Sequence, residues 1–233
     1  MKRLRASRFF PPAEMADSDG LVLLGGQLNT PWLLDAYGHG IFPWPVFEND
    51  ALLAWWSPDP RAIMEFDDVI VSRRLKRTCR TGKFTVSSNR DFTGVLRGCA
   101  TSQDRSGNTW IVPSMMKAYQ DLHAEGYAHS VEVWQGDRLV GGTYGVSIGG
   151  AFSAESKFYR VSDASKIALV ALIRHLQRRG FELLDIQQLT EHSQRLGATE
   201  IPRQQFLHRL SLAQQLPVSF GDTLEVAVDD LSV

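Results

Sequence analysis

Residues 151–188 read AFSAESKFYRVSDASKIALVALIRHLQRRGFELLDIQQ, and they say more about the architecture than any other part of the chain. The opening residues predict a strand, Ala151–Phe158. Apolar residues then recur at helical spacing over Asp163–Arg179, with Gly180 just past the end, so an amphipathic helix is predicted there. Leu183–Gln188 begins with a nearly continuous apolar run, which is typical of a buried central strand.

The flanking sequence adds strands and helices on both sides of this unit. Four more strands are predicted at Arg61–Phe66, Phe84–Ser88, Ser130–Gln135 and Leu139–Ser147. Four more helices are predicted at Ser72–Gly82, Asp91–Cys99, Pro113–Glu125 and Pro202–Gln214. Glycine-containing pairs at 136–137 and 149–150 mark hairpin-type turns, which makes the central strands antiparallel. The order of elements resembles the α+β core of N-acetyltransferase-like (GNAT) proteins, with a mixed, largely antiparallel sheet.

Residues 1–61 differ from the rest because glycine, proline and tryptophan interrupt them every few positions. Only Pro31–Tyr37 has the pattern of a short helix, with proline at its first position. We therefore predict a small, loop-rich N-terminal domain at 1–61 and a GNAT-like catalytic domain at 62–233. The acidic segment 221–233 is predicted to be solvated or peripheral.

Composition and charge exclude several classes of protein. The 233 residues are 43% hydrophobic and 22% charged, which fits an ordinary globular protein rather than a disordered or fibrous one. Two isolated cysteines indicate a reducing compartment. No apolar run approaches the roughly 20 residues of a membrane span, and no secretory leader follows the basic N-terminus. We expect a cytoplasmic protein without a membrane partner, a metal or a cofactor.

A basic cluster lies on the predicted helix after Ser72. Its members have no acidic residue among them: Arg73, Arg74, Lys76, Arg77, Arg80 and Lys83. In a chain whose net charge is −1, this is a local positive patch that suits a phosphate backbone. The alternative is a solvated charged face without a partner.

Two tryptophans are candidates for stacking on an unpaired base. Trp44 lies between two prolines, and Trp110 lies in a polar loop before a predicted helix. For any single tryptophan, packing in the core is the alternative.

Three polar side chains lie on two predicted strands of the apolar core. Glu155 is on one strand, and Asp185 and Gln187 share a face of the other. Carboxylates on buried strands are costly unless they are paired or used in chemistry. A structural ion pair of Glu155 with Lys157 or Lys166 is the alternative.

Several long motifs make the chain similar to one known family along nearly its whole length, the bacterial leucyl/phenylalanyl-tRNA–protein transferases. The motifs are GHGIFPW (38–44), WWSPDPR (55–61), TWI (109–111), AHSVEVW (128–134), LVGGTYGV (139–146), ES (155–156), ASK (164–166), LDIQ (184–187) and LGA (196–198).

The resemblance implies a reaction. The family moves an aminoacyl group, leucyl or phenylalanyl with methionyl as a further donor, from tRNA to the N-terminal Lys or Arg of an acceptor protein. This transfer marks the acceptor for degradation. The implied partners are aminoacyl-tRNA, the acceptor protein and the degradation machinery, and a monomer is expected.

The resemblance also implies roles for individual residues. Trp44 and Trp110 would hold the terminal adenosine of the tRNA, and the basic helix would follow its acceptor stem. Glu155, Asp185 and Gln187 match the family's catalytic-site residues. An apolar pocket for the aminoacyl side chain would involve Thr143, Lys157, Leu169, Leu172, Leu176 and Leu184.

The reaction itself suggests a mechanism. The aminoacyl ester is already activated, and an α-amino group has a pKa of about 8, so positioning should matter more than base strength. Our hypothesis is that Asp185 orients Gln187, whose carbonyl holds or helps deprotonate the attacking amine. Glu155 would lie near the reacting groups or the cationic acceptor side chain. Proton transfer through the tRNA ribose hydroxyl is the alternative.

Two departures from the family pattern bear on specificity. Lys157 stands where family members usually have methionine, and alternation along the strand predicts that it shares a face with Glu155. Thr143 is polar at a position expected to be apolar. Both predict an altered or narrowed choice of donor.

Three other functions compete with the transferase. Residues 145–149 match the GxSxG elbow, but a strand rather than a helix follows, which excludes a serine hydrolase. A GNAT-type acyl-CoA N-acyltransferase would need a glycine-rich loop before the helix at Asp163, where residues 158–162 contain no glycine. A tRNA- or protein-binding module with a decayed site remains as the non-enzymatic alternative.

Overall fold

The computed structural model describes residues 4–46, 52–101 and 111–232. The helix α1 (Thr30–Gly38) forms where the sequence predicts it, with Pro31 in its first turn. Three short strands lie around it: β1 (Leu21–Leu24), β2 (Phe42–Pro43) and β3 (Ala54–Trp56). They form an antiparallel sheet of order β1-β3-β2. The sequence does not predict these strands, because glycine and proline break each apolar run before an alternating pattern develops.

The remaining strands build a second, larger sheet. They are β4 (Arg61–Met64), β5 (Thr85–Ser88), β6 (Ala128–Gln135), β7 (Arg138–Ile148), β8 (Ala151–Tyr159), β9 (Leu183–Gln187) and β10 (Ala198–Ile201). Their order is β10-β4-β9-β8-β7-β6-β5, and only β8 and β9 pair in parallel. The predicted α+β class with a mixed, largely antiparallel sheet is therefore confirmed. The short edge strand β10 is missing from the prediction, because two of its four residues are exposed polar side chains.

Helices cover both faces of the large sheet. They are α2 (Arg73–Cys79), α3 (Phe92–Ala100), α4 (Pro113–Ala124), α5 (Ala164–Arg178), α6 (Glu191–Gln194) and α7 (Arg203–Ala213). α5 packs on one face, and α3 and α4 pack on the other. Strand side chains alternate between the two faces, so that Val131 and Phe152 lie with α5 whereas Tyr144 lies with α3 and α4. Over the described parts of the chain, no helix combines the length and apolar character that a bilayer crossing needs.

The two sheets share apolar packing. Trp55 of β3 is fully buried in the same cluster as Phe92 of α3 and Phe206 of α7. The division of the chain at residue 61 stays a prediction.

One irregularity in β8 shapes the centre of the molecule. Tyr144 pairs with Ser156 and Gly145 pairs with Ala154, so Glu155 is an extra residue that forms a β-bulge. The parallel pairing of β8 with β9 ends at Ser153. Beyond that point the side chains of Glu155 and Gln187 join the two strands by a hydrogen bond of 2.8 Å.

The C-terminal tail (residues 218–231) is not a solvated segment. Its buried residues are Phe220, Val226, Val228 and Leu231. The expectation of a peripheral segment at 221–233 is wrong for the described residues, because apolar side chains alternate with the acidic ones and pack against α2 and α5.

Candidate active site

Asp185 on β9 is the centre of the candidate site. Its carboxylate is 2% exposed and forms a two-pronged ion pair with Arg61 of β4. Nε of Arg61 lies 2.8 Å from Oδ1, and Nη2 lies 2.7 Å from Oδ2. The rings of Phe42 and Phe206 lie 4.8 and 4.5 Å from the guanidinium carbon, and Nη1 donates to the carbonyl oxygen of Gly40 at 3.0 Å. This planar, bidentate contact fixes the orientation of the carboxylate.

The other hydrogen bonds of Asp185 hold its neighbours in place. Oδ2 accepts the Ser153 hydroxyl at 3.1 Å, and Oδ1 accepts the backbone N–H of Gln187 at 2.9 Å. Gln187 has a φ of +67°, a left-handed conformation that residues with a side chain rarely adopt. Such a conformation costs on the order of 1–3 kcal/mol and persists where the surroundings impose it. The contact of Asp185 with Gln187 is thus made through the backbone N–H.

Glu155 lies partly buried at the bulge. The side-chain amide of Gln187 donates to Oε1 at 2.8 Å, and the Tyr119 hydroxyl donates to Oε2 at 2.8 Å. The hydroxyls of Tyr119 and Tyr37 are 2.6 Å apart. Burial raises the pKa of Glu155 to about 7, the charge of Asp185 adds to the rise, and the tyrosine hydrogen bonds oppose it. A carboxyl group with a pKa near neutrality can exchange a proton at physiological pH.

The three predicted polar residues come together in one cluster. Glu155 and Gln187 join β8 to β9 by a side-chain bridge, and Asp185 holds the backbone of Gln187. The alternative ion pair with Lys166 is not formed, since the Lys166 ammonium lies 3.1 Å from Asp163.

Lys157 lies on the opposite face of β8 from Glu155, which contradicts the expectation of a shared face. The bulge shifts the alternation of side chains, so Phe152 packs with α5 whereas Phe158 packs on the α3 side. Lys157, next to Phe158, is therefore turned towards the α5 face. There, burial and the charge of Lys157 both lower the pKa of His192.

The predicted pocket residues lie on the α5 face as well. Four leucines are buried in one apolar cluster: Leu169, Leu172, Leu176 and Leu184. Thr143 pairs with Lys157 across β7 and β8, and its hydroxyl donates to the carbonyl oxygen of Ser156 at 2.9 Å. The hydroxyl of Thr143 is thus satisfied within the sheet. The pocket candidates and the tyrosine contacts of Glu155 lie on opposite faces of the sheet.

A groove of about 350 Å³ opens beside Trp44, and its lining includes Phe42, Trp56 and Gln188. The indole N–H of Trp56 donates to the carbonyl oxygen of Trp44 at 2.8 Å. Because Phe42 lines the groove and also contacts the Arg61 guanidinium, the groove adjoins the Asp185 cluster. The second predicted stacking residue, Trp110, lies outside the described residues.

The basic side chains lie on α2 and the turn that follows it, and all are exposed except Lys76, which is half-buried. The Ser72 hydroxyl accepts the Leu75 N–H at 3.2 Å and caps the helix as predicted. One of the basic residues, Arg74, lies 3.6 Å from Asp163, so part of its charge is compensated. Two acidic residues, Asp163 and Asp229, act on Cys79 of the same helix through their charges.

The sequence reasoning missed four polar residues of the site: Arg61, Ser153, Tyr37 and Tyr119. Arg61 closes the WWSPDPR motif and opens an apolar strand, and a charged residue in that position was a usable signal. No sequence pattern indicated Tyr37 and Tyr119 as site residues, because their hydroxyls come together only when α1 packs against α4.

The N-terminus of α5 does not suit acyl-CoA. Asp163 stands at its N-cap position with a φ of +70°, and its carboxylate is 6% exposed. This carboxylate, paired with Lys166 and Arg74, stands at the N-cap position beside which a pyrophosphate would have to bind. This contact argues against the acyl-CoA alternative.

Comparison with known families gives matches over both parts of the chain. The model described as "Leucyl/phenylalanyl-tRNA protein transferase" matches residues 63–211, and that of the N-terminal domain of the same proteins matches 26–59. A relative named leucyl/phenylalanyl-tRNA–protein transferase from Solidesulfovibrio magneticus is 51% identical over 207 residues, covering 88% of this chain and 83% of the relative. A relative of the same name from Anaeromyxobacter sp. (strain Fw109-5) is 46% identical, covering 94% and 93%.

Solved structures give only a distant likeness. L-PGS from Bacillus licheniformis is 10% identical with a TM-score of 0.39, and covers 68% of this chain and 50% of that one. A GCN5-related N-acetyltransferase-like protein from Streptococcus suis is 14% identical with a TM-score of 0.33, covering 74% and 65%. These values are too low to carry an argument about function.

Proposed function

Because the chain belongs to the leucyl/phenylalanyl-tRNA protein transferase family, whose members are aminoacyltransferases, we propose a specific reaction for it. It transfers a leucyl, phenylalanyl or methionyl group from aminoacyl-tRNA to the N-terminal Lys or Arg of an acceptor protein. The product is then a substrate for the degradation machinery, and the enzyme works as a monomer in the cytoplasm.

The observation that carries the proposal is the position of the Trp44 groove. A terminal adenosine stacked on Trp44 would place its ribose beside Gln188, and hence next to Gln187 and Glu155. The aminoacyl ester bond would then lie where the pairing of β8 with β9 ends. We assign the leucine cluster on the α5 face, beyond the end of the β8–β9 pairing, to the aminoacyl side chain.

The chemistry needs a nucleophile, a proton acceptor and a leaving group. The acceptor's α-amine attacks the ester carbonyl carbon, a C–N bond forms, and the ester C–O bond breaks. The tRNA ribose oxygen leaves and takes up the proton that the attacking amine has lost, which Glu155 accepts first and then returns. The amide N–H of Gln187 is used by Glu155, so its carbonyl oxygen is the group that we assign to hold the amine.

The proton of the attacking amine goes to Glu155 in this proposal. A pKa of about 7 leaves part of the Glu155 population ionised at neutral pH, ready to accept that proton. Asp185 and Arg61 act as positioning residues, because they hold the strained backbone of Gln187.

The test is transfer from a panel of charged tRNAs to peptides that begin with each amino acid. We expect transfer to Lys- and Arg-starting peptides from leucyl- and phenylalanyl-tRNA. Asp185→Ala and the isosteric Asp185→Asn should both slow transfer by about 100-fold, since misplacement near 1 Å costs about that much. Glu200→Gln, at an exposed site on β10, is the matched control.

Three outcomes would contradict parts of the proposal. Near-wild-type turnover of folded Asp185→Asn would remove the assigned role of Asp185. Unchanged turnover of Glu155→Gln would favour proton transfer through the tRNA ribose. Tight tRNA binding without transfer to any peptide would favour a binding module.

A further inference from the structure

The C-terminal tail contacts the basic helix α2 directly, although the family model matches only as far as residue 211. Three apolar residues of the tail are buried in the same cluster as α2: Val226, Val228 and Leu231. The two buried residues of α2, Leu75 and Cys79, lie in this cluster. The tail therefore forms part of the surface on which α2 is seated.

The tail is anchored in turn to the core helix α5. A ring nitrogen of His175, Nε2, lies 2.8 Å from the carbonyl oxygen of Phe220. Arg179 donates to the Glu225 carboxylate at 2.8 Å, and the ring of Phe220 lies edge-on to the ring of His175 at 4.5 Å. These contacts, made through polar groups and rings, fix the tail to α5 and to the residue that follows its last turn.

The helix α2 depends on outside support. It has seven residues, and isolated helices below about 12–15 residues are marginal in water. Four of its seven residues carry a positive charge, and like charges at neighbouring helical positions repel one another, although Asp163 compensates part of the charge of Arg74. The burial of Leu75 and Cys79 is the main contribution that offsets the short length and the charge repulsion of α2.

We propose that the tail is a positioning element that clamps α2 against α5, so that the exposed arginines of α2 form a fixed surface for the tRNA acceptor stem. The inference rests on the proposed function of α2 as a tRNA contact. If a weakened tail leaves α2 docked about a tenth of the time, the apparent Kd for tRNA rises about tenfold.

The experiment uses the full chain with Val228→Ala and Leu231→Ala combined. Two donors are compared: aminoacyl-tRNA, and an aminoacyl-adenosine that lacks the acceptor stem. We expect the Kd for tRNA to rise about five- to tenfold, with unchanged transfer from aminoacyl-adenosine and faster hydrogen exchange of the α2 amides. Leu212→Ala, an exposed leucine on α7, is the matched control.

A double-mutant cycle separates this role from a general structural one. On an Arg77→Gln, Arg80→Gln background the tail substitutions should add little to the loss of tRNA affinity. An unchanged Kd in the tail variant, or a parallel fall of transfer from both donors, would overturn the proposal. Absence of transfer by the wild-type chain would instead refute the proposed function, and the Kd for tRNA would still test the tail.

Discussion

The cluster around Asp185 and the basic helix α2 are held in opposite ways. Both oxygens of Asp185 are engaged by buried donors on β4, β8 and β9. α2 has two buried residues, is capped by a serine, and rests partly on the C-terminal tail. The Asp185 carboxylate is fixed by several buried contacts, whereas the position of α2 is fixed by few.

In the proposed function, the difference follows from what each region would bind. Bond formation at an ester requires the reacting groups to be placed to within a fraction of an ångström. A strained backbone at Gln187 that holds its side chain in one position serves this requirement. A phosphate backbone is recognised through charge, which falls off slowly with distance and tolerates mobile side chains. Changes in the first region should therefore affect stability and rate, whereas changes in the second should affect affinity and its salt dependence.

The largest effect should come from Arg61→Met. It leaves the Asp185 carboxylate buried without its cation, which should lower the free energy of unfolding by about 3–5 kcal/mol. Transfer should be lost with it, because the hold on Gln187 is weakened. Urea unfolding, followed by tryptophan fluorescence, measures the first effect.

A matched arginine lies on the surface. Arg195 pairs with Glu191 at 3.2 Å, and their side chains are 79% and 87% exposed. Arg195→Ala should change the free energy of unfolding by less than about 0.5 kcal/mol. Equal effects of the two substitutions would contradict the contrast between a buried and a solvated pair.

The second largest effect should be a pH dependence of the folding stability, caused by Glu155. Its pKa is about 7 in the folded protein, against an ordinary value of 4.5, so the folded state holds an extra proton between these pH values. The stability that this proton provides is full below about pH 4.5 and is lost as the pH rises through about 7. Glu155→Gln should flatten the plot of thermal midpoint against pH over this range.

The same group should set the pH profile of the reaction. Transfer should rise with pH through about 7 in the wild type, because the carboxylate is the acceptor form. In Glu155→Gln that rise should disappear and the rate should be low. A variant that keeps the same rise would assign it to another group, such as the acceptor's own amine.

Removing charge from α2 should act on affinity alone. Arg77→Gln with Arg80→Gln should lower the slope of log Kd against log salt by about 0.7–0.9 for each phosphate that the variant no longer neutralises. Transfer from aminoacyl-adenosine should not change. Titrations of tRNA at several salt concentrations measure the slope, and an unchanged slope would show that these arginines bind no phosphate.

The smallest effect should be that of Lys157→Met, on donor preference. The α5 face then regains an apolar side chain, and the ratio of leucyl to phenylalanyl transfer should shift by about tenfold or less. Because Lys157 lies across the sheet from the tyrosines, the pH profile should stay the same. Equal use of both donors, unchanged by the substitution, would argue against a role of Lys157 in specificity.

The sequence predicted elements with strong periodicity and missed what depends on tertiary contacts. α5 and the strands β6 to β9 follow from apolar spacing and glycine turns, and Glu155, Asp185 and Gln187 follow from polar residues in apolar strands. The pairing of Tyr37 with Tyr119 is set by helix packing. The face of Lys157 depends on a bulge, and no local pattern marks where a strand gains an extra residue.

The bulge at Glu155 separates the surroundings of residue 155 from those of residue 157. In a regular strand, residues 155 and 157 would share one environment, so a new charge at 157 would disturb the proton at 155. Because one extra residue is inserted, side chains on the α5 face can change in size and charge, while Glu155, Tyr119 and Tyr37 keep their surroundings. An ammonium group at position 157 can therefore be accommodated on the α5 face without a change in the contacts of Glu155, and the two faces can be substituted separately.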